Sequence, residues 1–448
     1  MVSDPLGHRY LGSIAEDATC GFDSLPSRFF KNWPQLTMRL TALCLLSCNV
    51  LAGGLAAGQT FPADPIKPNA TPAPAQAPAP SPDAKTPKFR VYVGTYTNSK
   101  SKSEGIYTFD FDGVTGALTN QSVAAKTDNP SFLAFHPTRK FLYAVNEVGQ
   151  YGGKPTGSVS GFAIDPKTGG LSPLNSESSG GADPCYLTVD ATGSDVLVAN
   201  YSGGSVSVLP VGADGKLGPA RSTIQHRGSS VNKSNQSGPH AHSVDLDSTN
   251  RVAVVADLGL DKVMVYRFDP GGGTLQPNIP PFASLPPGSG PRHLAFAPDG
   301  RHAYVINEIS CTITVFDYDQ ARGSFAALQT ISTKPDPVKP GDSTAEVVVH
   351  PSGRFVYGSN RGPDTLAIYS ADPASGKLTL VGFQPTGGKS PRNFAIDPTG
   401  QFLLAANQNS DTIRVFRVDQ GTGRLAPVGE PAACPSPVCI RFLPVPSE

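Results

Sequence analysis

The chain has 448 residues, with 36 lysines and arginines against 36 aspartates and glutamates, so its formal net charge at pH 7 is zero. Because no charge excess would attract a polyanion or an acidic lipid surface, we expect neither nucleic acid nor a membrane surface as a partner. The 47 glycines, 44 prolines and single tryptophan are typical of a turn-rich protein built from β-strands.

The N-terminal region has the pattern of an export signal. Residues 1–37 show no periodicity, and we interpret them as unstructured or as lying upstream of the true start. In residues 38–57 one arginine precedes an apolar run that ends in small residues, which is typical of a secretory signal peptide. The sequence LLSC also resembles a lipoprotein cleavage box, with Cys48 as an alternative lipid-anchored N-terminus.

A Pro/Ala-rich linker follows in residues 58–88 and cannot bury enough apolar surface to fold by itself. A spacer after an export signal predicts a periplasmic or secreted protein, with no membrane span after processing and with a lipid anchor as the alternative. We expect a monomer.

Residues 291–308, PRHLAFAPDGRHAYVINE, have the pattern of a β-hairpin. Apolar and polar residues alternate on either side of Pro-Asp-Gly, a sequence that favours a tight turn. Similar segments begin at residues 130, 184, 239, 344 and 391, so the unit recurs about every 50 residues. A repeat of that length made of strands and turns predicts a β-propeller.

Two further strands follow each hairpin, which makes four antiparallel strands per blade. Six copies are complete, and the seventh is split. Residues 90–110 supply the second and third strands of a blade, and PVCIRF at residues 437–442 matches the missing first strand. We therefore predict an all-β, seven-bladed propeller over residues 89–448, with the first blade closed by the C-terminal strand.

Four cysteines fall in the repeat region. Cys434 and Cys439 are close enough in sequence for a disulfide, and two reduced, buried thiols are the alternative. No spacing resembles a zinc site, and we expect neither a metal nor another cofactor.

Polar residues are concentrated where each hairpin begins and ends, at one end of the propeller channel. The positions after the opening proline are Ser131, Cys185, His240, Arg292, Ala345, Arg392 and Val438. The last hairpin positions are Tyr96, Glu147, Tyr201, Asp257, Glu308, Arg361 and Gln408. A polar ring around a concave mouth predicts a substrate site, and capping of strand ends is the alternative.

Two clusters carry the candidate chemistry. In GPHAHS we expect only one of His240 and His242 to face the channel, whereas Arg292 and Glu308 should meet at the end of one hairpin. That pair either binds an oxyanion and orients water or is a structural ion pair. We expect His293 to pack against the neighbouring blade.

The sequence resembles the lactonase family of seven-bladed propellers. The resemblance lies in the segments GPHAHSV, GPRHLAF and YVGTYTN and in the Asn-Glu pairs that end hairpins. This family includes propeller-type 6-phosphogluconolactonases and carboxy-cis,cis-muconate cyclases, and the resemblance covers about residues 89–445. It implies lactone hydrolysis or formation without a cofactor. The site residues proposed for this family are one histidine, two arginines and one glutamate. By motif, they correspond here to His240 or His242, Arg292, Arg361 and Glu308.

We therefore expect an enzyme that hydrolyses a sugar-acid or related carboxylated lactone. Glu308 or a histidine would activate water, while Arg292 and Arg361 bind the substrate anion and the oxyanion. The other substrate-binding candidates are Glu147, Arg392, Asp257 and Tyr201. The alternatives are a non-catalytic envelope propeller that binds a small anion or a protein, and a lactone-forming cyclase. An exported protein would rarely meet a phosphosugar lactone.

Overall fold

The computed structural model describes residues 87–98, 101–334 and 336–445. Within these residues the chain forms seven four-stranded antiparallel sheets and one short 3₁₀ segment, Gln408–Ser410. The predicted signal peptide and nearly all of the linker lie outside the described residues. In the described part, no helix is long and apolar enough to cross a membrane.

Each sheet is one blade, and its strands are given from the channel outward. Blade 1 contains β28 (Pro437–Pro444), β1 (Lys88–Thr95), β2 (Gly105–Asp112) and β3 (Leu118–Lys126). Blade 2 contains β4 (Leu133–Phe135), β5 (Phe141–Asn146), β6 (Ser158–Ile164) and β7 (Leu171–Ser178). Blade 3 contains β8 (Pro184–Val189), β9 (Asp195–Asn200), β10 (Ser205–Pro210) and β11 (Ser222–Gln225). Blade 4 contains β12 (Ala241–Leu246), β13 (Val252–Asp257), β14 (Lys262–Asp269) and β15 (Thr274–Ser284).

The remaining blades follow the same order. Blade 5 contains β16 (Pro291–Phe296), β17 (His302–Asn307), β18 (Thr312–Asp319) and β19 (Ser324–Ser332). Blade 6 contains β20 (Ser343–Val349), β21 (Phe355–Arg361), β22 (Thr365–Ala371) and β23 (Leu378–Pro385). Blade 7 contains β24 (Pro391–Ile396), β25 (Phe402–Asn407), β26 (Thr412–Val418) and β27 (Leu425–Ala433).

The turn in blade 5 shows why these segments form hairpins. Gly300 adopts φ 68°, a conformation that costs glycine little, and its N–H donates to the carbonyl of Ala297 at 3.0 Å. The Asp299 carboxylate accepts the backbone N–H of Arg301 at 2.9 Å. This tight turn fixes the register of β16 and β17, so both open ends of the hairpin reach the same mouth of the channel.

The C-terminal strand closes the ring, as predicted. In the β28–β1 pair, Ile440 lies opposite Val93. β28 also packs against β24 of blade 7 and β4 of blade 2. Val438, Cys439 and Ile440 are buried. The first and last strands of the described residues therefore share one sheet, and blade 1 has no open inner edge.

Tyrosine side chains join neighbouring blades in a repeated way. Four buried phenols each donate a hydrogen bond of 2.8–3.0 Å to a glycine carbonyl of the next blade: Tyr92 to Gly169, Tyr143 to Gly215, Tyr304 to Gly376, and Tyr357 to Gly423. Each bond contributes about 1 kcal/mol and fixes the relative position of two blades. Side chains that several blades bring to the channel mouth are thereby held in a set geometry.

Cys434 and Cys439 are both free and buried. Cys439 packs in an apolar cluster with Leu133, whereas Cys434 packs in a separate cluster with Ile413. Of the two alternatives for this pair, the structure shows the reduced thiols.

Candidate active site

A cavity of about 200 Å³ lies at the mouth of the channel, where the hairpin ends converge. Its wall contains Glu147, Cys185, Tyr201, His242, Glu308 and Arg392. All of these except Cys185 were selected as site candidates from the sequence. A larger groove of about 450 Å³, lined by residues such as Lys88 and Asn120, lies at the other end of blade 1, away from these hairpin ends.

Glu308 presents one carboxylate oxygen to the cavity. Its Oε2 accepts a hydrogen bond from Arg292 Nε at 2.9 Å and forms an ion pair with Arg361 Nη2 at 3.0 Å. None of the described residues donates to Oε1, and the side chain is 24% exposed. Burial disfavours the charged form, but the neighbouring arginines outweigh it and lower the pKa of the carboxyl group. Glu308 is therefore an ionised carboxylate with one free acceptor.

Arg292 lies behind Glu308 and is not part of the cavity wall. Its side chain is 2% exposed, and its Nη1 donates to the Ala345 carbonyl at 2.7 Å and to His293 Nε2 at 3.0 Å. Burial and neighbouring arginines lower the pKa of Arg292 to about 10, so it stays protonated at neutral pH. The prediction that Arg292 and Glu308 meet is confirmed, but direct contact between Arg292 and substrate does not follow from this placement.

A second polar group comes from blades 1, 2 and 7. Arg392 Nη2 donates to the Tyr96 hydroxyl at 2.9 Å, and that hydroxyl donates to Glu147 at 2.8 Å. The Ser131 hydroxyl also donates to Glu147. Burial raises the pKa of Tyr96, so the phenol remains protonated and links the arginine to the carboxylate. Arg392 is thus the arginine of the cavity wall, and Tyr96 holds it in place.

His242 supplies a neutral imidazole. Its Nδ1 lies 3.6 Å from Cys185 Sγ, and its ring packs edge-on against Tyr201 at 5.3 Å between centroids. Burial, reinforced by the positive charge of Arg292, lowers the pKa of His242 well below its usual value. Burial also raises the pKa of the Cys185 thiol, which therefore stays protonated and is a poor nucleophile.

The register of the fourth hairpin corrects two sequence assignments. Ala241 pairs with Asp257, as Pro291 pairs with Asn307 in blade 5. The two hairpins have equal length and the same register shift after their first pair, so Ala241, and not Pro239, corresponds to Pro291. His242 therefore takes the ring position that had been assigned to His240. The last hairpin position likewise moves past Asp257.

Asp257 and His240 consequently lie outside the cavity wall. Asp257 is fully buried, its Oδ2 lies 2.6 Å from His226 Nδ1, and its Oδ1 accepts the backbone N–H of His240 at 2.8 Å. The His240 ring stacks on Tyr201 at 4.5 Å between centroids. Neither residue lines the cavity, because Asp257 contacts His226 and the His240 backbone, and His240 Nδ1 lies 3.0 Å from the Tyr201 carbonyl. Of the two histidines that the sequence left open, His242 is the one in the cavity wall.

His293 packs against the neighbouring blade, as expected, but it also reaches across the ring. Its imidazole ring lies 5.9 Å from Phe132, 5.1 Å from Tyr186 and 5.2 Å from His242 between centroids. These partners belong to blades 2, 3 and 4, so the imidazole occupies the centre of the channel directly beneath the cavity. No periodic signal reveals a contact across the ring.

In the ranges that the structure describes, no three His, Cys, Asp or Glu side chains are grouped so that they could hold a metal ion. The chemistry available from the described residues is that of an ionised carboxylate, a neutral imidazole and a cavity-facing arginine.

Comparison with known proteins identifies the family. Residues 90–442 match the family model described as Lactonase, 7-bladed beta-propeller. The 6-phosphogluconolactonase of Bacillus subtilis is 36% identical over 356 residues, which cover 80% of this chain and 99% of that protein. The 6-phosphogluconolactonase of Formosa agariphila is 34% identical over 68% of this chain and 85% of its own length.

Among solved structures, the periplasmic gluconolactonase PpgL of Pseudomonas aeruginosa superposes with a TM-score of 0.75 and 38% sequence identity. The match covers 80% of this chain and all of that one. Both the fold and the resemblance predicted from the hairpin phrases are confirmed. The chain belongs to the lactonase family of seven-bladed β-propellers and is a lactone-hydrolysing enzyme.

Proposed function

We propose that the protein hydrolyses an uncharged, polyhydroxylated lactone, of the sugar-acid type, by direct attack of water in the cavity at the channel mouth. The observation that carries this proposal is the pairing of an ionised Glu308, with Oε1 unoccupied, and a neutral His242 in one cavity wall. Together they can hold a water molecule and move its proton.

The reaction proceeds in two steps. Glu308 Oε1 orients the water, and His242 accepts its proton as the oxygen attacks the lactone carbonyl carbon. Arg392, in the same wall, stabilises the negative charge that develops on the carbonyl oxygen. The ring C–O bond then breaks, and the imidazolium returns the proton to the departing alkoxide. One water and one lactone thus give one open hydroxy acid.

An acyl-enzyme route is disfavoured by the residues available. The Cys185 thiol is held protonated by burial, and no serine lies in the cavity wall. Direct attack by water needs neither group.

Cavity size and charge favour a small, uncharged substrate. At about 200 Å³ the cavity is smaller than the roughly 300–1,000 Å³ of pockets for drug-sized ligands, and it suits a single ring. Arg292 and Arg361 both bind Glu308 Oε2, which leaves them less available for a substrate phosphate. The name of the Pseudomonas neighbour, a gluconolactonase, is consistent with this choice.

A lactone panel tests the function. Purified protein should accelerate hydrolysis of γ- and δ-aldonolactones, followed as proton release after subtraction of the spontaneous rate. We expect lower kcat/KM for a phosphorylated aldonolactone and for an unsubstituted δ-lactone. Binding of these ligands without turnover would instead support a non-catalytic propeller, and a preference for the phosphorylated lactone would overturn the substrate assignment.

The pH dependence of hydrolysis should reflect the two lowered pKa values. The active form needs Glu308 ionised and His242 neutral, and both groups lose that form only when the pH falls below their depressed pKa values. kcat/KM should therefore stay level as the pH falls through 6.5, the ordinary histidine value. An acid limb centred near 6.5 in a pH–rate profile would contradict the assignment of His242 as the base.

We also propose export, on the signal-like run in residues 38–57. Mature protein from the producing cell should begin just after that run or at a lipidated Cys48. An intact N-terminus in a cytosolic fraction would contradict export.

A further inference from the structure

A chain of hydrogen bonds leads from the catalytic cavity into the channel. Arg292 Nη1 donates to His293 Nε2 at 3.0 Å, and the other ring nitrogen, Nδ1, lies 2.9 Å from Glu346 Oε1. Glu346 Oε2 accepts a hydrogen bond from the Asn393 amide. Arg292, His293, Glu346 and Asn393 are all buried. The chain joins blades 5, 6 and 7 and ends on the Asn393 amide.

The direction of every bond in this chain is fixed by its ends. An arginine can only donate, so His293 Nε2 must be an acceptor, and its proton must sit on Nδ1, where Glu346 accepts it. The Asn393 carbonyl oxygen accepts the backbone N–H of Ile440 at 2.9 Å, so its NH₂ must face Glu346. A neutral imidazole with one defined tautomer is the only form that satisfies all partners.

We propose that His293 and Glu346 are positioning residues for the hydrolytic site: they hold the Arg292 guanidinium so that its Nε keeps Glu308 Oε2 occupied and turns Oε1 toward the water. This proposal rests on the proposed lactone hydrolysis. Neither residue lines the cavity: Glu346 acts through His293, and His293 reaches the site through its hydrogen bond with Arg292 and through its ring contact with His242. A shift of about 1 Å in a catalytic group can reduce the rate about 10²-fold, so such support has a measurable effect.

Two substitutions of His293 separate positioning from packing. In His293→Gln the amide oxygen can replace Nε2 as the acceptor for Arg292. In His293→Asn the shorter amide can replace only Nδ1 and reaches Glu346 alone. We expect His293→Asn to lose about 10²-fold in kcat and His293→Gln to lose less than about tenfold, even at similar melting temperatures.

The pH profile gives a second readout. Arg361 and Arg292 both lower the pKa of Glu308, so releasing Arg292 should raise that pKa and move the acid limb of kcat to higher pH in His293→Asn. A purely structural role would lower the amount of folded protein without moving the limb. Equal losses in the asparagine and glutamine variants with an unshifted limb would overturn the proposal.

Glu346→Gln tests the far end of the chain. Its NH₂ would face either Asn393 or the Nδ1–H of His293, and the second arrangement forces a tautomer that points N–H at Arg292. We expect reduced kcat with little change in KM. Tyr186→Phe is the matched control, because it removes a buried bond to Asp245 in the same channel but leaves the Arg292 chain intact. If Tyr186→Phe loses as much kcat as Glu346→Gln, the chain has no special role.

These outcomes are distinct from failure of the proposed function. If the wild-type protein hydrolyses no lactone in the panel, the function itself is wrong. If the wild-type protein is active but the two His293 variants behave alike, only the positioning role is wrong.

Discussion

Replacing Glu308 with glutamine should reduce kcat for lactone hydrolysis about 10²–10³-fold. Both arginines require an acceptor at the Oε2 position, so the introduced amide would place its oxygen there and its NH₂ toward the cavity. A donor would then replace the acceptor that orients the water. Initial rates on the best aldonolactone, expressed per folded protein, measure the effect.

Glu308→Gln should also cost stability, because it removes a negative charge from the buried Arg292. Breaking a buried ion pair typically costs about 3–5 kcal/mol, and the retained amide oxygen should keep the loss below that range. Denaturant unfolding therefore has to accompany the kinetics. Glu104→Gln is the control, since it makes the same chemical change in a half-exposed ion pair with Lys126 and should leave kcat unchanged. Activity within threefold of wild type in Glu308→Gln would rule out its role with water.

Deleting residues 437–448 should open the ring and prevent stable folding. The deletion removes β28, including Val438 and Ile440, which are fully or almost fully buried, and exposes the inner edge of β1. Each buried aliphatic side chain contributes about 1.5–3 kcal/mol, against a typical total stability of about 5–15 kcal/mol. We expect aggregation or a strongly lowered melting temperature, measured by thermal unfolding and size-exclusion chromatography.

A shorter deletion provides the control for this experiment. Removing only residues 446–448 leaves β28 complete and should not change the melting temperature. If the long deletion also melts within a degree or two of the full-length protein, β28 does not stabilise the ring.

The architecture could be predicted well from the sequence because the same strand and turn pattern recurs in each blade. Alternation around a tight turn such as Pro298–Gly300 determines a hairpin without reference to the rest of the chain. The period then determines the blades, and the unpaired PVCIRF segment has only one open sheet edge to join. Glu308 and Arg292 were brought together correctly for the same reason, since both end strands of one hairpin.

The site was predicted less well where it depends on register or on contacts across the ring. In the fourth hairpin Ala241 takes the place that Pro291 has in blade 5, so His242 replaces His240, and the repeated proline pattern does not reveal this offset. The burial of Arg292 and the central place of His293 follow from distances between blades, which are set by packing in three dimensions. A hairpin pattern carries no information about them.

A crystal structure of Glu308→Gln soaked with an aldonolactone would show where the lactone binds, because the variant should bind substrate but turn it over slowly. We expect one lactone in the cavity of about 200 Å³, with its carbonyl oxygen toward Arg392 and its carbonyl carbon between His242 and residue 308. A lactone bound elsewhere on the propeller, with this cavity empty, would contradict the assignment of the active site.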